Sequence, residues 1–238
     1  DGLLGETFAA AVVEMFAPVE RAKPRRGPTS LYVGGKAGTN SSLTLGKALL
    51  SHLADRTIGP ADRDTFEELT ASARVLRIFA HGTAMLLQTH GSGIEMNEAD
   101  QRSVNRYTVS EARMLDLRGA RRVELWACES GRSDATYSKL VHHDEPAGMD
   151  SAVLQAGAEC AIASLWTQYV LSSAMIAEAF TLELTARSQP EAEALAAAIR
   201  RYRQGIADGG VFTVGMIRYV ESAIYPIRVE SALRAGLD

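Results

Sequence analysis

Residues 74–82 read Arg-Val-Leu-Arg-Ile-Phe-Ala-His-Gly, and they predict a buried strand in a sheet. Its apolar side chains fall on both faces of an extended chain, which is typical of a strand in a sheet covered on both sides. The strand runs directly into His81 and Gly82. The same arrangement returns at residues 122–131, Arg-Val-Glu-Leu-Trp-Ala-Cys-Glu-Ser-Gly, where a second buried strand ends at Cys128.

Further strands and helices alternate around these two segments. Apolar runs predict strands over residues 31–33 and 159–166. Apolar residues at helical spacing predict helices over residues 45–53, 66–73, 109–115, 148–156 and 191–204, and a long helix with Met175, Ala179, Leu182 and Ala186 on its buried face. This alternation predicts an α/β fold, a mostly parallel sheet flanked by helices on both faces. No change in composition divides the chain, so we expect residues 1–238 to form a single domain.

Some boundaries carry local signals, and some segments carry weak ones. Thr108 or Ser110 is expected to cap the helix over residues 109–115. Gly157 is expected to end the helix over residues 148–156. Residues 58–64 predict a turn. After Gly82 comes an insertion rich in polar residues, in which residues 85–88 resemble a short hairpin arm, and residues 211–229 fit either strands or a helix.

Composition and charge exclude several classes of protein. The 238 residues are 46% hydrophobic and 23% charged, as in an ordinary globular protein. The chain has 25 basic and 29 acidic residues, which argues against nucleic acid as a partner because nucleic-acid-binding proteins carry clustered positive charge. No run approaches the roughly 18 apolar residues of a membrane span, so we expect no membrane partner.

The cysteine count and the first residue suggest where the chain belongs. Two cysteines cannot form a disulfide scaffold, which favours a reducing compartment, and we expect the cytoplasm. The sequence starts at Asp1 without a methionine or a signal-peptide pattern. We therefore expect it to be a fragment of a longer chain.

His81 and Cys128 each follow a strand at its carboxyl end, where functional groups of α/β sheets collect. They are 47 residues apart, enough for the crossover that joins neighbouring parallel strands. An ordinary thiol, with a pKa near 8.5, is only a few per cent ionised at neutral pH, and a nearby imidazole can accept its proton. Small residues beside both side chains leave room for a substrate and for amide groups that hold an oxyanion.

Structural roles for these residues have to be weighed against catalysis. A cysteine at a strand end is more often a small buried side chain than a nucleophile, and Cys160, inside a predicted strand, fits that role. The joint occurrence of His81 and Cys128 at the ends of consecutive strands favours catalysis. Neither cysteine has further ligands at the compact spacing of a zinc site, so we expect no metal.

Together these motifs resemble the CHAT family, caspase-like cysteine peptidases related to separases, metacaspases and caspases. The resemblance covers about residues 43–205, and its motifs occur in the family's order at residues 79–82, 125–131, 144–149 and 156–166. It implies a caspase-haemoglobinase-like fold, with His81 as general base and Cys128 as nucleophile. It also implies an oxyanion hole made by the backbone amides of Gly82 and Cys128, and cleavage through an acyl-enzyme thioester without a cofactor.

The resemblance further implies a protein or peptide substrate, and control by a sensor or regulatory domain in cis or trans, including in antiviral defence in bacteria. Trp126, Glu129 and Trp166 are the expected substrate-binding residues. No carboxylate stands at residues 167–170, after Trp166, where many relatives have acidic residues. A basic substrate side chain would lack a partner there, so we expect an uncharged or apolar residue before the scissile bond, unless Glu129 or Asp134 reaches the pocket.

Two alternatives to a regulated endopeptidase stay open. The chain could be a catalytically silent CHAT-like module for interaction or assembly, although a silent copy has no reason to keep both His81 and Cys128. It could also be another α/β thiol hydrolase that cleaves small amides, which would favour a closed pocket over an open groove. For the endopeptidase, we expect the loops at residues 34–42 and 129–147 to become ordered on activation.

Overall fold

A computed structural model of the chain describes residues 26–34, 47, 50–59, 61–83, 92–96, 106–128, 130–131, 148–164, 170–187, 189–207 and 227–231. Its elements, in chain order, are β1 (Thr29–Val33), a 3-10 helix (Ser51–Leu53), β2 (Arg56–Ile58), α1 (Arg63–Ser72), β3 (Val75–Phe79), β4 (Gly82–Thr83), β5 (Gly93–Glu95), β6 (Arg106–Thr108), α2 (Val109–Ala112), β7 (Arg122–Trp126), α3 (Met149–Gln155), β8 (Cys160–Ser164), α4 (Val170–Arg187), α5 (Glu191–Ala207) and β9 (Ile227–Ser231).

The described elements form a six-stranded sheet with the order β2-β1-β3-β7-β8-β9. The first five strands are parallel to one another, and β9 pairs with β8 in the antiparallel direction. A smaller antiparallel sheet has the order β4-β5-β6. The prediction of a mostly parallel sheet is therefore confirmed.

Helices cover both faces of the large sheet, as predicted. On one face, α1, α2 and α3 pack over side chains such as Tyr32, Ile78 and Leu125. On the other face, α4 and α5 pack over the side chains that alternate with these, including Phe79 and Ile162. Because successive strand residues point to opposite faces, the nearly continuous apolar runs of the central strands supply both cores.

Local signals set several helix boundaries. The Asp62 carboxylate caps α1 by accepting a hydrogen bond from the Thr65 amide at 2.9 Å. Thr108, one of the two predicted caps, accepts from the Glu111 amide, and the Glu111 carboxylate accepts from the Thr108 amide, which forms a capping box. Gly157 follows α3 with φ of +107°, a backbone conformation that favours glycine.

The structure corrects one predicted helix face. Leu182, expected on the buried side of α4, is 47% exposed, and Ala186 is exposed as well. The buried face instead contains Ala174, Ala177 and Phe180. This face of α4 packs against the sheet and against α5.

Short strands account for the other differences. The predicted turn over residues 58–64 includes the end of β2, and the polar insertion contains β4, β5 and β6. Residues 227–231 form a strand, which resolves part of the ambiguity over residues 211–229. The predicted helix over residues 45–53 lies partly outside the described residues. No helix in the described ranges is both long and apolar enough to cross a membrane.

Candidate active site

The register of the two central strands places the candidate catalytic residues opposite each other. β3 and β7 are neighbours, and each pair from Val75↔Arg122 to Phe79↔Trp126 differs by the same 47 positions. The same difference separates His81 from Cys128, two residues beyond the last pair. Both residues therefore follow the carboxyl ends of adjacent parallel strands, and both are partly exposed.

Gly82 brings the chain after His81 against the backbone of Cys128. A Cβ atom added to Gly82 would lie 1.9 Å from the carbonyl oxygen of Cys128 and 3.1 Å from its nitrogen. No side chain fits in that space, so the contact requires glycine for steric reasons. The close approach ties the His-Gly and Cys segments into one site.

The small sheet fixes the direction of the backbone at this point. The Glu95 amide donates to the carbonyl of His81 at 2.8 Å, and Gly82 pairs with Ile94 in the antiparallel ladder. This bond makes Gly82 and Ile94 a non-hydrogen-bonded pair, since the bonds flank them. The N–H of Gly82 consequently points away from β5.

The two cysteines have different surroundings. Cys128 is partly exposed at the sheet edge, whereas Cys160 is 3% exposed inside β8. Burial raises the pKa of the Cys160 thiol to about 12, with a smaller contribution from the charge of Glu191. The interpretation of Cys160 as a core residue is confirmed.

A buried ion pair joins β3 to β7 four residues before the candidate dyad. Nε of Arg77 lies 2.7 Å from Oε2 of Glu124, and both side chains are essentially inaccessible to solvent. Nε of Arg122 donates to Oε1 of Glu124 at 2.8 Å. Burial raises the pKa of Glu124, but the Arg77 and Arg122 charges outweigh it and lower the pKa to about 2.

The remaining donors of Arg77 anchor neighbouring elements. One terminal nitrogen donates to the carbonyl of Leu53 at 2.8 Å, and the other donates to the hydroxyl of Thr181 in α4 at 2.6 Å. Sequence reasoning did not assign Arg77 or Glu124 a role. The signal was available, because they are separated by the same 47 positions as His81 and Cys128 and lie in otherwise apolar strands.

Trp126 does not match its predicted role as a substrate contact. It is 3% exposed, and its indole N–H donates to Oε2 of Glu124 at 3.1 Å. The side chain packs in the core between the sheet and the helices α4 and α5. We therefore reassign Trp126 to the core, where its indole N–H supplies one more hydrogen bond to the buried carboxylate of Glu124.

The other predicted substrate-binding residues, Glu129 and Trp166, lie outside the described residues, as does Asp134. So do most of the two loops expected to become ordered on activation. Across the described ranges, no three or more His, Cys, Asp or Glu side chains are grouped so that they could hold a metal ion.

Comparison with solved structures shows which fold this is. The Arg-specific cysteine proteinase gingipain R matches with a TM-score of 0.51 and 11% identity, over 87% of this chain and 48% of its own. The complex of the Porphyromonas gingivalis RgpB pro- and mature domains gives the same score, over 49% of that chain. The Saccharomyces cerevisiae separase–securin complex matches with a TM-score of 0.52 and 12% identity, over 86% of this chain and 12% of the other.

These likenesses show a caspase-like fold, and this chain spans half or less of each matched chain. No curated protein sequence matches. The family model described as "CHAT domain" matches residues 38–211, most of the sequence, including both strands that end at His81 and Cys128. The chain belongs to the CHAT domain family.

Proposed function

We propose that the chain is a cysteine endopeptidase that cleaves protein or peptide substrates with His81 and Cys128. The observation that carries this proposal is the register of β3 and β7, because His81 and Cys128 follow the carboxyl ends of these adjacent strands at the same spacing of 47 residues. The partial exposure of both residues supports it, because a nucleophile must be reached by its substrate.

The proposed reaction has two stages. His81 accepts the thiol proton of Cys128, and the thiolate attacks the carbonyl carbon of the scissile peptide bond. The tetrahedral intermediate collapses as the carbon–nitrogen bond breaks, and His81 returns the proton to the leaving amine. A water molecule, deprotonated by His81, then hydrolyses the thioester and regenerates the thiol.

The oxyanion of the tetrahedral intermediate is proposed to bind the backbone N–H groups of Gly82 and Cys128. Support comes from the direction of the Gly82 N–H, away from β5, and from the contact of Gly82 with the Cys128 backbone. Two fixed amide dipoles at this position stabilise developing negative charge without having to reorient.

We propose an uncharged or apolar residue before the scissile bond, with Glu129 and Trp166 as substrate contacts. Residues 167–170, Thr-Gln-Tyr-Val, offer no carboxylate to a basic side chain. Control by a sensor or regulatory domain, in cis or in trans, is part of the same proposal, as is a role in defence. The physical reason is that an unregulated peptidase would degrade proteins of its own cell.

The test compares the wild-type chain with Cys128→Ala and Cys160→Ala. Each protein is incubated with a cell lysate, and new protein N-termini are mapped by mass spectrometry. We expect new termini with wild type and Cys160→Ala but not with Cys128→Ala, following uncharged or apolar residues. The same termini with all three proteins would refute the proposal. New termini with none of them would mean that the chain alone does not cleave, which is expected both of a silent interaction module and of a peptidase whose regulatory domain is absent.

A further inference from the structure

The chain makes a tight turn directly after Cys128. The backbone N–H of Ser130 donates to the carbonyl of Ala127 at 3.4 Å, and the Ser130 hydroxyl lies 2.9 Å from the same oxygen. The hydroxyl also lies 3.1 Å from the carbonyl of Leu125, so its single proton is shared between the two acceptors. Ser130 is 6% exposed, and these contacts are shielded from water.

Ser130 also joins this turn to the next strand and the next helix. The Ser130 hydroxyl accepts a hydrogen bond from the Ser164 amide, at the end of β8, at 3.1 Å. The Gly131 amide donates to the carbonyl of Ser164 at 2.8 Å, and the Met149 amide donates to the carbonyl of Ser130 at 2.9 Å. The turn is therefore held by β7, β8 and α3 together.

The bonds to the Ala127 carbonyl have a consequence for Cys128. In a planar trans peptide, the carbonyl of one residue and the N–H of the next point in opposite directions. Fixing the Ala127 carbonyl toward Ser130 therefore fixes the N–H of Cys128 on the opposite side. That N–H is one of the two amides in the proposed oxyanion hole.

We infer that Ser130 is a positioning residue that orients the Cys128 amide toward the oxyanion of the reaction. The inference rests on the proposed function and adds a specific role for a side chain that does not touch the substrate. Without the hydroxyl, the Ala127 carbonyl loses its 2.9 Å bond and keeps the longer 3.4 Å bond from the Ser130 amide. The dipole then has to reorient during the reaction, which weakens its stabilisation of negative charge.

Two reagents separate this role from a general structural one. p-Nitrophenyl acetate acylates a thiolate through a tetrahedral oxyanion and releases p-nitrophenolate. Iodoacetamide alkylates the same thiolate by displacement of iodide at carbon, and no carbonyl oxyanion forms. Loss of the oriented amide should slow acylation of Cys128 by about tenfold or more, given the rate effects of single oxyanion-hole donors, and should leave alkylation within about threefold.

The experiment measures both rates for wild type, Ser130→Ala and Ser130→Thr, after subtracting the background of Cys128→Ala. Ser130→Thr keeps the hydroxyl and is expected to restore the ratio of acylation to alkylation. Thr70→Val is the matched control, because it removes a buried hydroxyl that donates to the carbonyl of Glu67 within α1, outside the turn after Cys128. It should change neither rate.

Each outcome decides the inference. Selective loss of acylation in Ser130→Ala with recovery in Ser130→Thr supports it. Equal slowing of acylation and alkylation in Ser130→Ala, which leaves their ratio unchanged, overturns it. A lowered ratio of acylation to alkylation in Ser130→Thr also overturns it, even if Ser130→Ala fails to fold. If wild-type Cys128 reacts no faster than Cys160 with iodoacetamide, the proposed function itself fails, and the two failures are thus distinguishable.

Discussion

Replacing the buried carboxylate of Glu124 with its neutral isostere, Glu124→Gln, should lower the free energy of unfolding by about 3 kcal/mol. Glu124 is fully buried, and its pKa is about 2 instead of the ordinary 4.5. At 1.36 kcal/mol per pH unit, this difference corresponds to about 3 kcal/mol of stabilisation by the ionised form. The neutral amide should lose a similar amount at neutral pH, because Arg77 and Arg122 stay buried and lose the negative charge that Glu124 supplies to both.

The lowered pKa of Glu124 also predicts how the free energy of unfolding depends on pH. A carboxyl group whose pKa is lowered on folding stabilises the fold fully above its unfolded value. That contribution is lost as the pH falls from about 4.5 toward about 2. The difference in free energy of unfolding between wild type and Glu124→Gln should therefore shrink toward zero over this range.

Urea unfolding of both proteins, followed by circular dichroism at several pH values, measures this difference. Asp116→Asn is the control, since the Asp116–Arg118 ion pair is exposed to solvent and its loss should change the free energy of unfolding little. A loss below about 1 kcal/mol for Glu124→Gln at neutral pH would show that the ionised Glu124 does not stabilise the fold, as would a difference in free energy that does not depend on pH.

Two further substitutions test local geometry. Gly82→Ala should reduce Cys128-dependent cleavage by about 100-fold, because the new Cβ would lie 1.9 Å from the Cys128 carbonyl oxygen and displace the site. Gly59→Ala, whose Cβ would meet the Lys47 amine at an ordinary contact distance of 3.7 Å, should cleave normally, and wild-type cleavage by Gly82→Ala would show that the close contact is not needed. Thr108→Ala should lower the free energy of unfolding by about 1 kcal/mol through loss of the capping box, measured by urea unfolding. Ser110→Ala, at an exposed position in the same helix, should change it by less than about 0.5 kcal/mol, and the opposite ranking would contradict the assigned cap.

The central strands could be predicted because their sequences leave little choice. The segments before His81 and Cys128 are apolar on both faces, and only a sheet covered by two helical layers buries both. The spacing between the two residues also allowed their strands to be neighbours, as the structure confirms. The short strands β2, β4, β5 and β6 have two or three residues each, and too few side chains alternate in them to give a pattern.

Other features depend on tertiary contacts that no local pattern contains. α4 is apolar around much of its circumference, so several faces satisfied the helical spacing, and the face that packs contains Ala174, Ala177 and Phe180. Trp126 was expected at the substrate because it lies two residues before Cys128. Its N–H is instead required by Glu124, a buried charge whose partners come from two strands.

If His81 accepts the thiol proton of Cys128, it raises the fraction of Cys128 present as thiolate, and the rate of thiol alkylation measures that fraction. Wild type and His81→Ala are treated with iodoacetamide at neutral pH, and mass spectrometry follows the peptides of Cys128 and Cys160 separately. In wild type, Cys128 should react at least about tenfold faster than Cys160, because Cys160 is buried and burial raises the pKa of its thiol. His81→Ala should slow Cys128 by about tenfold and leave Cys160 unchanged. Equal rates for Cys128 in the two proteins would contradict the account.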